Sequence, residues 1–308
     1  MEVLFRVWSG GIDSPNSCPQ VVIREAMDQG LPGSFPDSRL LTQWLTEVAR
    51  AKGAQLARTV LSSLQSMRGE TNAFHYSAVI KGCDRGQWQL VLRLLEDMTV
   101  AQIEKDQVLY NIAISSSEKA GQWTCAMSLL SEMVGTRIAP DTISFNSAIS
   151  ACAKDGLWQL AVGLVAQMVS AQVQQDLITY SATITACEKG AQWALALQLL
   201  AEMTVSSIAK DVIVYCAAIS ALEKGGQWEL ALSMLSDMAA AKVRKDVITF
   251  SAAISACEKC AEWEIALALL AEMTVVQVTK GVLAYAAAIS ACEKGRQCGQ
   301  LRFSFLKK

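Results

Sequence analysis

The chain contains a single histidine, His75, among its 308 residues, and four of its five prolines fall within the first 36. Without a second histidine it can build neither a histidine-rich zinc site nor a Ser/His/Asp or Cys/His pair that recurs along the chain. The sequence therefore predicts a protein that is not an enzyme and carries no metal or cofactor.

A surplus of positive charge is also missing. Lys and Arg number 27 against 29 Asp and Glu, a net charge of −2, whereas a protein held to nucleic acid mainly by phosphate neutralisation needs a clear basic excess. Apolar residues make up 52% of the chain, but no apolar run reaches about 18 residues, the length that a membrane span needs. We therefore expect a soluble protein without membrane contact, in which any nucleic-acid binding rests on more than net charge.

The ten cysteines include one CxxC motif, formed by Cys257 and Cys260. A lone CxxC without a second pair is weak evidence for zinc or redox chemistry. Half of the cysteines instead share one repeat position, which is typical of small buried helix residues; these are Cys83, Cys152, Cys187, Cys257 and Cys292. We predict that this column packs in the core.

The sequence is strictly periodic. Tryptophan and methionine each recur six times at intervals of 35 residues, at Trp88, Trp123, Trp158, Trp193, Trp228 and Trp263 and at Met98, Met133, Met168, Met203, Met238 and Met273. A fixed period between about 20 and 50 residues indicates stacked units that bury one another's apolar faces. Apolar residues fall at three- and four-residue spacings within each unit, which predicts two helices per unit. The expected fold is an all-α solenoid of tandem antiparallel helix-turn-helix repeats.

Six clear repeats occupy residues 73–106, 107–141, 142–176, 177–211, 212–246 and 247–281. Residues 1–37 predict an irregular N-terminal extension, residues 38–72 a degenerate helical repeat, and residues 282–308 a partial seventh repeat with a C-terminal tail. In repeat 177–211, Thr179 is expected to cap a first helix, and a second helix is expected from about Trp193 to Met203.

The repeat pattern DVITYSAxISACEKGxQWxLALxLLxEM resembles the P-type pentatricopeptide repeat over residues 73 to about 297. The sister tetratricopeptide repeat carries a Trp-Leu-Gly-Tyr pattern in its first helix, which this chain lacks. The resemblance implies a right-handed α-solenoid superhelix that binds single-stranded RNA along its concave face, one base per repeat. It also implies a non-catalytic adaptor in organellar RNA metabolism, acting in processing, stability, splicing or translation. A chloroplast or mitochondrial location is expected from the resemblance, although no clear transit peptide is visible.

In that family the base is read by the residue after the first-helix aromatic and by the last residue of the repeat. An ionised Asp only accepts hydrogen bonds, whereas uracil and guanine present a ring N–H, so the aspartates predict a U/G-biased tract. Ser leaves room for a purine and Asn favours a pyrimidine, which gives roughly 5′-GUUG for residues 73–211, with C tolerated at the Asn repeats. The corresponding pairs are Ser77 with Asp106, Asn111 with Asp141, Asn146 with Asp176, Ser181 with Asp211, Cys216 with Asp246, and Ser251 with Gly281.

Two of these pairs, those containing Cys216 and Gly281, depart from common combinations and should discriminate weakly between bases. The alternative for the aspartates is a turn or helix-entry role without any ligand, because Asp before a helix satisfies backbone N–H groups.

Two further columns extend the candidate site. The family sandwiches adjacent bases between apolar side chains, with core packing as the alternative role; the matching residues are Val108, Ile143, Ile178, Ile213 and Ile248. A basic residue ends every first helix and could contact phosphates, or serve only as a favourable cation at a helix C-terminus. This column is Arg85, Lys119, Lys154, Lys189, Lys224, Lys259 and Lys294. Because an acid precedes most of these residues, we expect modest affinity and a shallow salt dependence.

Other interpretations stay open. Near-neutral helical solenoids also bind proteins, so the chain is alternatively a protein–protein interaction scaffold without direct RNA reading. The partial seventh repeat is expected to expose an uncapped apolar face, which predicts a protein partner or self-association, and the chain could be a fragment of a longer product. RNA editing by the chain itself is not expected, because it has neither a His-x-Glu motif nor paired CxxC motifs.

Overall fold

The computed structural model describes residues 72–83 and 87–295, together with the isolated positions 42, 45, 46, 57, 58 and 61. The predicted N-terminal extension, most of the degenerate repeat 38–72, Arg85 and residues 296–308 lie outside the described residues.

Thirteen α-helices follow one another in the described part of the chain, with two helices in each of the six repeats and one in the seventh. None of these helices combines the length and apolarity needed to cross a membrane. In chain order they are α1 (Ala73–Gly82), α2 (Trp88–Val100), α3 (Gln107–Lys119), α4 (Trp123–Gly135), α5 (Thr142–Lys154), α6 (Trp158–Ser170), α7 (Leu177–Lys189), α8 (Trp193–Val205), α9 (Val212–Lys224), α10 (Trp228–Ala240), α11 (Val247–Lys259), α12 (Trp263–Val275) and α13 (Val282–Lys294).

The first helices begin directly after an aspartate from α3 to α11. Before α7, Asp176 has an extended backbone, and its carboxylate accepts the backbone N–H of Thr179 at 2.9 Å. The Thr179 hydroxyl accepts the backbone N–H of Asp176 in return at 3.2 Å, which completes a capping box. The prediction that Thr179 itself caps this helix is therefore wrong. The cap is the carboxylate three residues earlier, because Asp176 still lies outside the helix while its side chain reaches back to it.

The second helices end in a left-handed turn. After α8, Ser207 has a φ of 54°, and the backbone N–H of Ile208 donates to the carbonyl of Met203 at 2.9 Å. This 6→1 bond is the mark of a Schellman motif, which satisfies carbonyls that the helix leaves open. The helix consequently runs two residues beyond Met203, where the sequence pattern predicted its end.

The chain divides into two compact units, Met1–Ala148 and Ile149–Lys308. In the second unit, α7 packs on α9, α9 on α11 and α11 on α13, and the second helices contact the first helices on either side. Tyr180, Leu200 and Ala218 belong to one buried cluster that α7, α8 and α9 share. In the first unit, α3 packs against α4 and completely buries Tyr110 and Ile114. The expected all-α arrangement of tandem helical repeats is confirmed.

Cysteines of the predicted core column are buried. Cys152, Cys187 and Cys257 have no exposed surface and Cys292 is 6% exposed, while Cys83 is half-buried. Burial raises the pKa of the Cys187 thiol to about 11. These side chains therefore act as small apolar packing groups.

Tryptophans connect consecutive repeats through a glycine. A Cβ atom placed on Gly225, just after α9, would lie 2.3 Å from Cδ1 of Trp193 in the preceding repeat. The same contact recurs between Gly190 and Trp158 and between Gly295 and Trp263. Glycine is needed here because the indole ring occupies the space that any side chain would take.

We predict that Gly225→Ala lowers the free energy of unfolding by about 1–3 kcal/mol, because Trp193 must move to make room. Gly163→Ala is the matched control. Gly163 is exposed in the middle of α6, and no atom would lie within 4 Å of its added Cβ, so this change should stabilise by roughly 0.5–1 kcal/mol through helix propensity. Thermal unfolding of both variants measures the two changes in stability, which should have opposite signs. Changes of the same sign would contradict the Trp–Gly contact.

Candidate nucleic-acid interface

The aspartates at the repeat ends are all helix caps. Each carboxylate accepts, through Oδ1, the backbone N–H of the third helical residue at 2.8–2.9 Å; the pairs are Asp106 with Leu109, Asp141 with Ser144, Asp176 with Thr179, Asp211 with Val214, and Asp246 with Thr249. The helix-entry role that the sequence offered as an alternative is therefore real. It commits only one of the two carboxylate oxygens to the backbone, so a ligand role is compatible with it.

Two of the predicted reading pairs lie in direct contact. The Asn111 amide donates to both carboxylate oxygens of Asp141, at 3.0 and 3.2 Å. The Cys216 thiol donates to Oδ1 of Asp246 at 3.6 Å. In each pair the first residue is on the first helix of its repeat, and the aspartate caps the first helix of the next repeat.

The other predicted pairs do not share this arrangement. In the described structure no hydrogen bond joins Ser77 to Asp106 or Ser181 to Asp211. Asn146 is 7% exposed, more buried than the half-buried Asn111. Opposite Ser251, Gly281 brings no carboxylate and leaves α13 without a side-chain cap.

Buried polar atoms without a partner concentrate at the same position. Within the described residues three such side-chain atoms occur, and two of them are Asn111 Oδ1 and Ser251 Oγ. A buried polar atom that makes no hydrogen bond costs about 1–3 kcal/mol, and each case in a native protein calls for an explanation. Both atoms belong to residues that the sequence assigns to base reading.

Local hydrogen bonds set the charge state of these pairs. Burial raises the pKa of Asp141, but bonds from the Ser144 backbone and the Asn111 amide outweigh it, so the pKa lies below its ordinary value. Burial and the neighbouring Asp246 carboxylate raise the pKa of Cys216 to about 12. At neutral pH the site therefore presents an ionised Asp141 and a protonated Cys216 thiol.

A groove lies across the first helices of the last three repeats. It has a volume of ≈ 640 Å³ and is lined by residues of α9, α11 and α13. Four serines, two glutamates and apolar side chains form its walls; among them are Ser220, Ser251, Ser255, Ser290, Glu223, Glu258 and Ile248.

The apolar column is on the surface and not in the core. Its exposed fractions are 50% for Val108, 60% for Ile143, 57% for Ile178, and 62% for both Ile213 and Ile248. Core packing therefore does not explain these residues.

Two members of this column were missing from the sequence-based set. Phe74 and Leu283 occupy the same position in the first and seventh repeats and are 71% and 76% exposed. Phe74 lies 34 residues before Val108 because the first repeat is one residue shorter. Alignment on Tyr76 and Tyr110, and not on the tryptophans, would have found it.

The lysine column connects neighbouring first helices. Lys224 donates to the carbonyl of Glu188 at 3.0 Å and pairs with its carboxylate at 2.8 Å. Lys259 repeats this arrangement with Glu223, and Lys294 pairs with Glu258 at 2.9 Å. Lys189 also donates to the carbonyl of Lys154, at 2.7 Å. Lys189, Lys224 and Lys259 therefore each place a positive charge at the C-terminal end of the first helix in the preceding repeat. The side chains of Lys224, Lys259 and Lys294 stay 34–49% exposed, so a phosphate contact remains a prediction.

Family comparison agrees with this architecture. The family model described as PPR repeat family matches residues 105–154 and 140–189, and the model described as PPR repeat matches residues 213–243 and 248–276. The chain belongs to the pentatricopeptide repeat (PPR) family. Comparison with curated protein sequences gives no significant match.

Solved structures share the fold. The pentatricopeptide repeat protein PPR10 from maize has a TM-score of 0.58 at 17% identity, over 96% of this chain and 47% of that chain. The same maize protein in complex with an 18-nucleotide psaJ RNA element gives 0.52 at the same identity and coverage. The PPR domain of Arabidopsis thaliana protein-only RNase P 1, in complex with tRNA, gives 0.55 at 12% identity, over 61% of this chain and 98% of that domain. At these identities the likeness shows the fold alone, and this chain spans about half the length of the maize protein.

We predict that Glu258→Gln lowers the free energy of unfolding by about 0.5 kcal/mol at pH 7, the size expected of a partly exposed ion pair. Burial raises the pKa of Glu258, but hydrogen bonds from Lys294 and Ser290 outweigh it and hold the pKa below its ordinary value. The pair therefore contributes fully above the unfolded-state pKa, and its contribution disappears as the pH falls through the lower folded-state pKa.

Denaturant titrations of wild type and variant between pH 3 and 7 measure this difference. Glu104→Gln, at an exposed connecting residue, is the control and should leave the free energy of unfolding nearly unchanged at pH 7. A constant Glu258→Gln effect down to pH 3 would contradict the assignment to the ion pair.

Proposed function

We propose that the chain binds single-stranded RNA, with one base held between neighbouring first helices in each repeat. The observation that carries this proposal is the pair of buried atoms without a partner, Asn111 Oδ1 and Ser251 Oγ. A base edge supplies the hydrogen bonds that these atoms lack. The maize relative in complex with an RNA element supports the same ligand class.

The Asn111–Asp141 pair favours a base that donates. Asn111 spends its amide N–H groups on the carboxylate, so the atoms left for a ligand are its Oδ1 and an ionised oxygen of Asp141. Uracil presents a ring N–H to such acceptors, whereas cytosine presents an acceptor of its own. The pair therefore prefers U to C, and the aspartate column as a whole prefers U and G.

Base selection along the chain follows the same reasoning. Ser77 and Ser181 leave room for a purine beside an aspartate and Asn111 and Asn146 favour a pyrimidine, which gives 5′-GUUG for residues 73–211. Cys216 already donates to Asp246, and Gly281 offers no carboxylate, so these two repeats select weakly.

The exposed apolar column supplies the affinity that the net charge does not. Side chains such as Ile178 and Ile213, each more than half exposed, offer flat apolar surface on which bases pack. The lysines add a phosphate contact, but Lys224, Lys259 and Lys294 each already form an ion pair with a glutamate. The salt dependence of binding is therefore shallow.

This binding serves a non-catalytic adaptor in RNA processing, stability, splicing or translation. The family is typically organellar, so a chloroplast or mitochondrion is the proposed location.

A second candidate, a protein-binding scaffold, rests on α13. Its Tyr285 and Ile289 are 38% and 50% exposed, whereas Phe250 and Ile254 at the same positions of α11 are completely buried. An exposed apolar helix face of this kind is typical of a protein contact, which supports a protein partner or self-association there.

We predict that the purified chain binds a single-stranded RNA containing GUUG at least about tenfold more tightly than one containing ACCA, a difference of about 1.4 kcal/mol. Asp141→Asn and Asp176→Asn should each weaken this preference, because one acceptor oxygen becomes a donor. Asn is as good an N-cap as Asp, so both variants keep the fold.

Fluorescence anisotropy in matched salt measures the affinities, and Asp237→Asn, on the exposed face of α10, is the control. Equal affinity for both RNAs would contradict base reading by the aspartates. Binding to neither RNA would favour the protein scaffold.

A further inference from the structure

A row of hydroxyls runs between the reading residues and the lysines. On each first helix from α3 to α11, the reading residue is followed four positions later by Ser or Thr and eight positions later by Lys. Residues spaced by four lie on one face of a helix, so the three columns form one stripe. The hydroxyl row is Ser115, Ser150, Thr185, Ser220 and Ser255, and Ser290 continues it on α13.

In the second unit this row faces the groove. Ser220, Ser255 and Ser290 line the same volume of ≈ 640 Å³ as Ser251. The Ser251 Oγ atom is buried there without a hydrogen-bond partner. The groove therefore holds a polar atom that a ligand would satisfy, and the hydroxyl row lies beside it.

Most of these hydroxyls are not used by the protein itself. A serine inside a helix commonly donates to the carbonyl four residues earlier, as Ser117 does to Ala113 at 3.0 Å. In the part of the chain that the structure describes, four of the six hydroxyls make no hydrogen bond within the protein, and their residues are half-buried; these are Ser115, Ser150, Ser220 and Ser255. Thr185 donates to its own helix and Ser290 to Glu258.

Charge at the two helix ends fixes where a bound backbone would run. The aspartates at the N-terminal ends repel phosphates, whereas at the C-terminal ends the lysines offset the neighbouring glutamates, so the repulsion is weaker there. With a rise of 1.5 Å per residue, the hydroxyl lies about 6 Å and the lysine about 12 Å along the helix from the reading residue. The ribose connects base to phosphate, so it falls at the level of the hydroxyl row.

We propose that the hydroxyl row binds the ribose 2′-hydroxyls of the RNA and makes the chain prefer RNA to DNA. This inference rests on the proposed function. A serine hydroxyl and a 2′-hydroxyl can each donate and accept, so they pair without regard to the base. The 2′-hydroxyl is the group that lets a protein distinguish RNA from DNA at a given site.

The test compares two oligonucleotides that differ only in this group. One is a single-stranded RNA containing GUUG followed by two further bases; the other is the same sequence as DNA, with deoxyuridine in place of thymidine. Wild-type protein is expected to bind the RNA at least about tenfold more tightly, since each hydrogen bond contributes modestly and several act together. The triple variant Ser115→Ala, Ser220→Ala, Ser255→Ala should bring the two affinities within about threefold while the DNA affinity stays unchanged.

Alanine is a good helix former and these hydroxyls make no internal bond, so the triple variant should keep the wild-type melting midpoint. Ser128→Ala with Ser233→Ala, on the exposed faces of α4 and α10, is the matched control and should leave the RNA preference intact.

The outcomes separate the two proposals. If wild type prefers GUUG to ACCA but binds RNA and DNA equally, the ribose contact is wrong and base reading stands. A triple variant that loses RNA and DNA affinity in equal measure also overturns the ribose contact, because the serines then act on the base or the fold. Failure to bind either oligonucleotide overturns the proposed function and this inference with it.

Discussion

The hydrogen bond from each repeat-end aspartate to the third residue of the next first helix is the interaction on which the rest depends. It begins the helix, because it satisfies a backbone N–H that has no partner within the helix. It also fixes the carboxylate at the junction between two repeats, where Asp141 meets the Asn111 amide of the preceding first helix. One oxygen is committed to the backbone, and the side chain cannot rotate away. The same bond that starts the helix thus holds an ionised acceptor in a defined place on the surface.

Close packing between first helices brings the members of two predicted pairs into contact, Asn111 with Asp141 and Cys216 with Asp246. Three of the seven buried residues of α9, and three of the seven of α11, are alanines, whose small side chains let neighbouring helices approach closely. The Trp–Gly contact after α7, α9 and α13 adds a steric limit, because the indole of one repeat fills the space beside the glycine of the next. After α11 the same position holds Cys260. A substitution at Gly225 therefore changes more than local stability, since it alters the spacing that the reading pairs require.

The sequence predicted the period, the two helices per repeat and the buried cysteine column, since all of these follow from positions within one repeat. It left open whether the apolar column packs in the core, and it missed Phe74 and Leu283. It missed features that depend on how one repeat lies against the next. The ion pairs of Lys224 and Lys259 join residues 36 apart, and no rule of helix spacing connects them. The family resemblance paired Asn111 with Asp141, but the hydrogen bond between them, across 30 residues, does not follow from helix spacing either. Thr179 was misassigned within a single repeat, because threonine and aspartate are both good caps and only the backbone conformation of Asp176 decides between them.

Ion pairs within the protein reduce what the lysines can contribute to binding a phosphate. A lysine that shares its charge with a glutamate and a helix C-terminus gains less from a phosphate than a free lysine does, because it must give up part of an existing interaction. The net charge of −2 adds no long-range attraction for a polyanion. In the proposed function, binding energy then comes from contacts that form only when a base and its sugar fit, namely the acceptors at the repeat junctions, the exposed apolar column and the hydroxyl row. Such a surface has little affinity for the phosphate backbone alone. The proposed binding free energy therefore depends on which bases and which sugar the strand carries.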